Sequence, residues 1–241
     1  MILKLEDVGM KFGSFAALSN LTFQVEQSEV FGIAGPNGAG KTTLFNVMTG
    51  ILSGSGKVFF NGLDINQYKP HQICNLGITR TFQVPLLFST LSVFQNVKVG
   101  VHFGMRSKKN ETEKIKEMIA FVGLERNEDT IAKNLSLLDK KLTMLATALG
   151  TNPKVLLLDE PVGGLCETDV DMFLKLIKKI NQELGITIIV IEHLMKFIVE
   201  LCDRLMILNN GEKVIIGPPE EVTRNSEVIE IYLGSENDAH S

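Results

Sequence analysis

An α/β fold with a parallel core sheet is predicted by three features of the sequence. The runs 30–34, 155–158 and 186–191 are short and apolar, as expected of strands that are buried on both faces of a parallel sheet. Helical periodicity lies between the last two runs, from Asp169 to Leu184. Strands that alternate with a helix favour an α/β sheet whose ligand sites lie at the carboxyl ends of its strands.

A smaller antiparallel sheet is predicted near the N-terminus. Residues 21–25 alternate between apolar and polar side chains, which is typical of a half-buried strand. A second strand is expected over 57–60, where it ends in the turn sequence Asn61-Gly62.

The C-terminal region is predicted to contain a hairpin and a frayed end. Strands are expected over 205–208 and 213–216, because Asn210-Gly211 between them is a typical tight-turn sequence. Residues 235–241 are polar and are expected to fray.

The middle of the chain has a different character from the rest. Strand signals are scarce between residues 84 and 150, and helices are expected from Thr112 to Val122 and from Lys140 to Gly150. We therefore predict a single domain over 1–241, with an α/β core and antiparallel subdomain in 1–83 and 151–241, and an inserted helical subdomain in 84–150.

Composition excludes several classes of protein. The 241 residues are 44% hydrophobic, which suits one substantial core, and the net charge of −4 gives no reason to expect nucleic acid as a partner. The basic cluster over 106–109 is interpreted as a solvated loop. No apolar run is long enough to span a bilayer and no signal peptide is evident, so a cytosolic location is expected. Cys74, Cys166 and Cys202 are widely separated and are expected to be reduced thiols.

A phosphate-binding loop, or P-loop, follows the first buried strand. Its residues are Gly35, Pro36, Asn37, Gly38, Ala39, Gly40, Lys41, Thr42 and Thr43. Glycines allow the backbone to curl so that its N–H groups point at phosphate oxygens, and a helix N-terminus favours the same negative charge. We expect Lys41 to contact the β- and γ-phosphates, Thr42 to bind Mg²⁺ and Thr43 to bond to the α-phosphate. The alternative is a glycine turn that only connects a strand to a helix.

Two carboxylates follow the second buried strand. Asp159 and Glu160 stand at the end of the run 155–158, where an aspartate can hold Mg²⁺ and a second carboxylate can polarise the attacking water. Asp159 is the predicted metal ligand and Glu160 the predicted catalytic base. The alternative is a solvated strand end.

A histidine follows the third buried strand. The run 186–191 is succeeded by Glu192 and His193, and an imidazole at this place can donate a hydrogen bond to a γ-phosphate. Taken alone, His193 would be an ordinary surface or core histidine, and its position after the strand is what favours a catalytic role.

These motifs together resemble the ATP-binding subunits of ABC transporters over nearly the whole chain. The resemblance covers the Walker A segment 35–43, the Walker B segment 155–159 with Glu160, and the switch histidine His193. It implies the P-loop NTPase fold of ABC ATPases, with ATP and Mg²⁺ as ligands. It also implies that Gln83 is the Q-loop glutamine, which contacts nucleotide and metal, and that Phe12 stacks on adenine. The alternatives are a polar loop residue for Gln83 and a core aromatic for Phe12.

Within this family the chain is most similar to subunits of branched-chain amino acid uptake systems. The residues that carry this narrower resemblance are 80–83 (Arg-Thr-Phe-Gln), 191–193 with Met195 and Lys196, 202–204 (Cys-Asp-Arg) and 232–234 (Tyr-Leu-Gly). The resemblance implies a peripheral protein at the cytoplasmic face of the membrane. Its implied partners are transmembrane permease subunits and a second ATP-binding subunit, identical or different. The apolar segment 84–97 would contact the permease, or would pack within the helical subdomain.

The chain departs from the family at two places. The signature segment, Leu-Ser-Gly-Gly-Gln in the family, reads Leu-Ser-Leu-Leu-Asp at 135–139, and an aspartate or asparagine is replaced by Cys166. Ser136 would still contact a partner's nucleotide, but the two leucines restrict close approach and Asp139 adds negative charge. Asp139 could instead cap the helix that follows. These departures predict a heterodimer with one sound and one degenerate site.

Other functions remain open at this level. A regulatory module that binds ATP with little turnover would suit the altered signature, although Glu160 and His193 oppose it. An ATPase that serves a lipid or lipopolysaccharide exporter is a second alternative. A GTPase is not favoured, because no guanine-specificity motif is present.

Overall fold

The computed structural model describes residues 1–104 and 110–238, with side chains described as far as Tyr232. The chain divides into two compact units. The terminal unit comprises 1–70 and 187–241, and the central unit comprises 71–186. The basic cluster predicted over 106–109 lies outside the described residues. The division predicted at residues 83/84 and 150/151 stays a prediction.

The first sheet of the terminal unit is antiparallel, as predicted. Its strands have the order β2-β1-β4-β5. They are β1 (Leu3–Phe12), β2 (Phe15–Val25), β4 (Ser55–Phe60) and β5 (Leu63–Asp64). Residues 21–25 alternate between buried and exposed side chains, which confirms the half-buried strand predicted there.

The second set of strands in the terminal unit carries the predicted parallel pairing. Its order is β10-β9-β3-β8. The strands are β3 (Val30–Ala34), β8 (Thr187–Ile191), β9 (Arg204–Asn209) and β10 (Glu212–Gly217). Strand β3 pairs in parallel with β8 and with β9, while β9 and β10 form the predicted antiparallel hairpin. Asn210 and Gly211 both have positive φ angles (48° and 77°), as a tight hairpin turn requires.

Four helices complete the described part of the terminal unit. They are α1 (Lys41–Met48), α7 (Met195–Leu201), α8 (Pro219–Val222) and α9 (Ser226–Asp238). The prediction that the chain frays from Ser235 is wrong for residues 235–238, which belong to α9. Asn225 accepts hydrogen bonds from the backbone N–H groups of Glu227 and Val228, so the helix starts from a satisfied cap and propagates cooperatively. Residues 239–241 lie outside the described part.

The central unit contains five α-helices and two strands among its described residues, besides two short 3-10 helices (Glu125–Asn127 and Ala132–Asn134). They are α2 (Pro70–Leu76), β6 (Ile78–Arg80), α3 (Val93–Gly104), α4 (Glu111–Phe121), α5 (Leu137–Gly150), β7 (Val155–Asp159) and α6 (Glu167–Leu184). Strands β6 and β7 pair in parallel, with Ile78 opposite Val155. All five residues of β7 are buried, as are those of β3 and β8 in the terminal unit, which confirms the buried strands predicted from their apolar runs.

Two helices of the central unit differ from the sequence-based expectation. Helix α3 was not predicted, because valine, phenylalanine and glycine are weak helix formers. Its residues Val93, Val97 and Val101 recur every four positions and are fully buried, so tertiary packing overrides the low propensity. Helix α5 begins at Leu137, before the predicted start at Lys140. No helix in the described ranges is both long and apolar enough to cross a bilayer.

Candidate nucleotide site

The P-loop lies between the end of β3 and the start of α1 in the terminal unit. Lys41 is the first residue of α1 and only 6% exposed. Its Nζ donates hydrogen bonds to the carbonyl oxygens of Gly35 (2.8 Å) and Pro36 (2.9 Å). The ammonium group is thus folded back onto the loop, where it adds positive charge to the positive end of the helix. This arrangement fits an anionic ligand.

The glycines of the loop serve different purposes. A Cβ atom at Gly35 would lie 1.9 Å from the carbonyl oxygen of Leu208, and one at Gly40 would lie 2.6 Å from that of Ala17. These two glycines therefore allow the loop to approach β9 and β2. Gly38 has a φ of +80° with nothing within 4 Å of an added Cβ atom, so it supplies the left-handed backbone on an open side.

Two other predicted residues also belong to the terminal unit. His193 follows β8, is half-buried, and its backbone N–H donates to Glu192 Oε2 at 3.0 Å. Phe12 ends β1 and is 49% exposed, so the alternative of a core aromatic is wrong. Phe15, its partner across the hairpin, is 63% exposed and offers a second accessible ring.

Tyr232, in α9, is one of the residues of the narrower resemblance. Burial raises the pKa of its hydroxyl to about 12, and a hydrogen bond with the backbone of Gly35 opposes that shift. Cys202, another residue of the narrower resemblance, is buried, and burial raises the pKa of its thiol, with Asp203 and Glu29 adding to the shift. All three cysteines are free, as predicted.

The predicted metal ligand Asp159 lies in the central unit at the end of β7. Its Oδ2 accepts a hydrogen bond from Arg80 Nη2 at 2.5 Å, and the two side chains are only 5% and 6% exposed. The alternative of a solvated strand end is therefore wrong for Asp159. A buried carboxylate is costly without a cationic or donor partner, and Arg80 is that partner here.

Glu160 has an unusual backbone and hydrogen bonds to nearby residues of the central unit. Its φ of +46° lies in the left-handed region, which non-glycine residues seldom adopt. Its Oε2 accepts a hydrogen bond from Gln83 Nε2 at 2.5 Å, and its carbonyl oxygen accepts one from Lys141 Nζ at 3.2 Å. The structure thus brings the predicted base and the predicted Q-loop glutamine together.

The altered signature segment forms a closed cap at the start of α5. Ser136 is the N-cap residue, and its Oγ accepts the backbone N–H of Asp139 at 3.1 Å. The same hydroxyl donates to Asp139 Oδ2 at 2.8 Å. The prediction that Asp139 itself caps the helix is wrong, because Ser136 occupies the cap and Asp139 lies in the first turn. Leu137 is 41% exposed. Its side chain lies close to Gly164, since a Cβ atom added at Gly164 would be 3.1 Å from Leu137 Cδ2.

Two residues with roles in this arrangement were not predicted as site residues. Arg80 pairs with Asp159, and Lys141 bonds to the carbonyl oxygens of Gln83 and Glu160. A signal for Arg80 was available, since an arginine ends a strand that leads into the Q-loop. No sequence signal was available for Lys141, because its neighbour Lys140 is an identical residue in the same helix and nothing in the sequence distinguishes the two.

The structure therefore supplies two sets of predicted residues. The terminal unit holds the P-loop, Phe12 and His193, and the central unit holds Gln83, Asp159, Glu160 and Ser136. A glycine loop that leads from a buried strand into a helix, with a lysine folded onto it, defines a P-loop nucleotide-binding protein.

Comparison with known proteins extends this assignment. The ABC transporter family model matches residues 18–163. The high-affinity branched-chain amino acid transport ATP-binding protein BraF of Pseudomonas aeruginosa is 31% identical over 97% of this chain and 98% of its own length. The chain belongs to the ABC transporter family and is one of its ATP-binding subunits, which are ATPases.

Two solved structures show the same fold. The ADP conformation of an ATP-binding cassette of an ABC transporter superposes with a TM-score of 0.88 at 31% identity, covering 97% of this chain and 98% of that one. A dimeric cassette in a post-hydrolysis state, bound to ADP and Pi, has a TM-score of 0.81 at 25% identity and covers 90% of this chain and 99% of that one. The predicted P-loop NTPase fold of the ABC ATPase type is confirmed.

Proposed function

We propose that this subunit couples ATP binding and hydrolysis to the import of branched-chain or related amino acids. It acts as a peripheral protein at the cytoplasmic face of the membrane, together with permease subunits and a second ATP-binding subunit. Similarity to BraF over nearly the full length of both chains supports this substrate class. The dimeric cassette among the structural relatives supports the paired arrangement.

Nucleotide binding is assigned to the residues of the terminal unit. The loop 35–40 presents backbone N–H groups to the phosphates, Lys41 contacts the β- and γ-phosphates, and Thr43 bonds to the α-phosphate. Phe12 stacks on adenine, and its exposure leaves the ring available for this contact. His193 donates a hydrogen bond to the γ-phosphate.

Gln83 and Asp159 of the central unit would hold Mg²⁺, and in the terminal unit the Thr42 hydroxyl is the proposed metal ligand. They offer hydroxyl, amide and carboxylate oxygens, which are the ligands that Mg²⁺ prefers, and Asp159 carries a second carboxylate oxygen besides the one bonded to Arg80. When bound, the ion neutralises charge that develops on the phosphate oxygens. Arg80 pairs with the Asp159 carboxylate at the end of β7 and so favours one orientation of it.

Hydrolysis is assigned to Glu160, and one observation carries that assignment. Its carboxylate is held by the side-chain amide of Gln83 at 2.5 Å, on a backbone that stays in the left-handed region. Strained backbone concentrates at functional sites, because the surrounding structure must fix it in place. Glu160 takes the proton of the attacking water, and Gln83 orients the carboxylate that does so.

The signature segment supports an asymmetric dimer. In this chain the N-terminus of α5 is already occupied by its own carboxylate, since Asp139 bonds to the cap hydroxyl and follows it in the first turn. A partner's γ-phosphate offered to this end would meet a like charge. Productive hydrolysis therefore uses the P-loop of this chain and the intact signature of a different partner.

The substitution Glu160→Gln tests the proposal in the complex purified from membranes, whose co-purifying chains also identify the partners. We expect phosphate release to fall at least about 100-fold, because general-base catalysis typically contributes 10²–10⁴-fold. Exposed Glu200→Gln is the matched control. Unchanged turnover in Glu160→Gln would overturn the assignment.

Two further measurements separate the alternatives. Tight ATP retention without phosphate release by the unmodified complex would favour a regulatory module. ATP-driven uptake of leucine, isoleucine or valine into vesicles that carry the complex supports import, whereas extraction of lipid from those vesicles without uptake would favour an exporter.

A further inference from the structure

Lys141 is a buried lysine in the second turn of α5. Only 2% of the residue is exposed, which places it among the largest fully buried side chains of the described part of the chain. Burying an ammonium group is costly unless hydrogen bonds replace its water shell. The groups that accept these bonds therefore determine what the residue does.

Two backbone carbonyl oxygens accept hydrogen bonds from Lys141. They belong to Glu160, at 3.2 Å from Nζ, and to Gln83, at 3.4 Å. The carbonyl oxygen of Glu160 also accepts the backbone N–H of Gly163 at 3.2 Å. The Lys141 ammonium group and the Gly163 N–H, which come from different segments, thus both bond to the Glu160 carbonyl oxygen. Together they fix the peptide group that follows this left-handed residue.

The side chains of the same two residues are joined as well. Gln83 Nε2 donates to Glu160 Oε2, so this pair is connected at the side chains and, through Lys141, at the backbone. Because the pair is bonded at both levels, its position is restrained relative to α5. The N-cap residue of this helix is Ser136, at the position that the family presents to a partner's nucleotide.

We propose that Lys141 is a positioning residue for ATP hydrolysis. Its ammonium group holds the backbones of Gln83 and Glu160 in a fixed relative position and so fixes the Glu160 carboxylate. This inference rests on the assignment of Glu160 as the base. It makes α5 the element that connects the signature segment to the catalytic carboxylate.

The test replaces Lys141 by methionine, which has a similar length and no charge. Replacing a buried ion by an apolar side chain of similar volume often preserves folding, so a folded variant is expected. Turnover in the purified complex should fall about 10–100-fold, because small misplacements of a catalytic group have effects of this size. The dissociation constant for ATP should change by less than about twofold, since the P-loop is untouched.

Amide hydrogen exchange gives a readout that does not depend on turnover. Exchange in Lys141→Met should increase at 82–84 and at 160–164, where the two carbonyl bonds are lost, while the P-loop stays unchanged. Lys141→Arg should restore at least part of the activity, because it keeps a cationic donor. The matched control is Lys175→Met, an exposed lysine in helix α6 of the same unit.

A double variant distinguishes positioning from a general structural role. If Lys141 acts through Glu160, adding Lys141→Met to Glu160→Gln should lower the residual single-turnover rate no further. Additive losses, or an equal loss of ATP affinity and melting temperature that Lys141→Arg does not rescue, would overturn the inference. A Glu160→Gln variant with full activity would instead refute the proposed function itself.

Discussion

The N-termini of helices α1 and α5 differ in the residues that surround them. Helix α1 begins at Lys41 after a glycine loop, its N-cap residue is Gly40, and its first turn contains no acidic residue. Helix α5 begins at Leu137, its N-cap residue is Ser136, and its first turn contains Asp139. Every helix N-terminus carries backbone N–H groups without intrahelical partners and a partial positive charge.

The difference lies in what satisfies that charge. At α1 the first turn contains no acidic residue, and the Lys41 ammonium group is folded onto the loop. At α5 the Ser136 hydroxyl and the Asp139 carboxylate meet at the helix end and bond to each other. The first helix end is therefore suited to an external anion, whereas the second already has a carboxylate of the chain beside its cap residue. A motif position can thus keep its serine while the charge around that serine changes.

The largest expected effect concerns the shape of the α1 loop. Gly35→Ala should destabilise the protein by about 4 kcal/mol or more, since its Cβ atom would overlap the carbonyl oxygen of Leu208. Gly38→Ala should cost only about 1–2 kcal/mol, because it adds left-handed strain without a clash. Denaturant unfolding of both variants measures the difference.

This pair separates packing from phosphate approach within one loop. ATP affinity in Gly38→Ala should fall more than its stability suggests if the open side of Gly38 faces the ligand. Equal destabilisation by the two alanines would contradict the assignment of Gly35 to packing against β9.

The next largest effect concerns the N-terminus of α5, where the family's signature residues can be restored by substitution. The triple change Leu137→Gly, Leu138→Gly and Asp139→Gln is made in a Glu160→Gln background, which is expected to slow hydrolysis. Removing the carboxylate and both leucines should strengthen ATP-dependent self-association about tenfold, equivalent to roughly 1.4 kcal/mol. Analytical ultracentrifugation with and without MgATP measures it.

A control leaves the altered signature segment of this chain unchanged and removes a different carboxylate. Asp171→Asn changes an exposed residue of α6 and should leave self-association as it is in the Glu160→Gln parent. If the unrepaired parent already forms an ATP-dependent dimer as tightly as the repaired chain, the degenerate-site hypothesis is wrong.

The comparison also shows which parts of the fold were accessible from sequence. The fully buried strands β3, β7 and β8 were predicted because continuous apolar runs have few other uses. Helix α3 was missed because its valines favour strands locally and are helical only through burial in the tertiary structure.

The site was predictable to a different extent. The P-loop, the acid pair and His193 follow buried strands, so their positions could be deduced from local sequence. The contacts of Arg80 with Asp159 and of Lys141 with Gln83 connect residues 79 and 58 positions apart, and no local pattern encodes them. The Ser136 cap was a local signal, since a serine with an acidic residue three positions later is a capping pattern that was assigned to the wrong residue.

The smallest expected effect comes from removing that cap. Ser136→Ala should lower the free energy of unfolding by about 1 kcal/mol, because the N–H of Asp139 loses its acceptor. The melting temperature should fall by roughly 2–4 °C for a chain of this size, whereas Ser136→Thr, which keeps a hydroxyl, should show little change. A purely local cap predicts the same loss with and without MgATP. A loss that grows when MgATP is added would show that Ser136 contacts nucleotide after all, and would remove the contrast between the two helix ends.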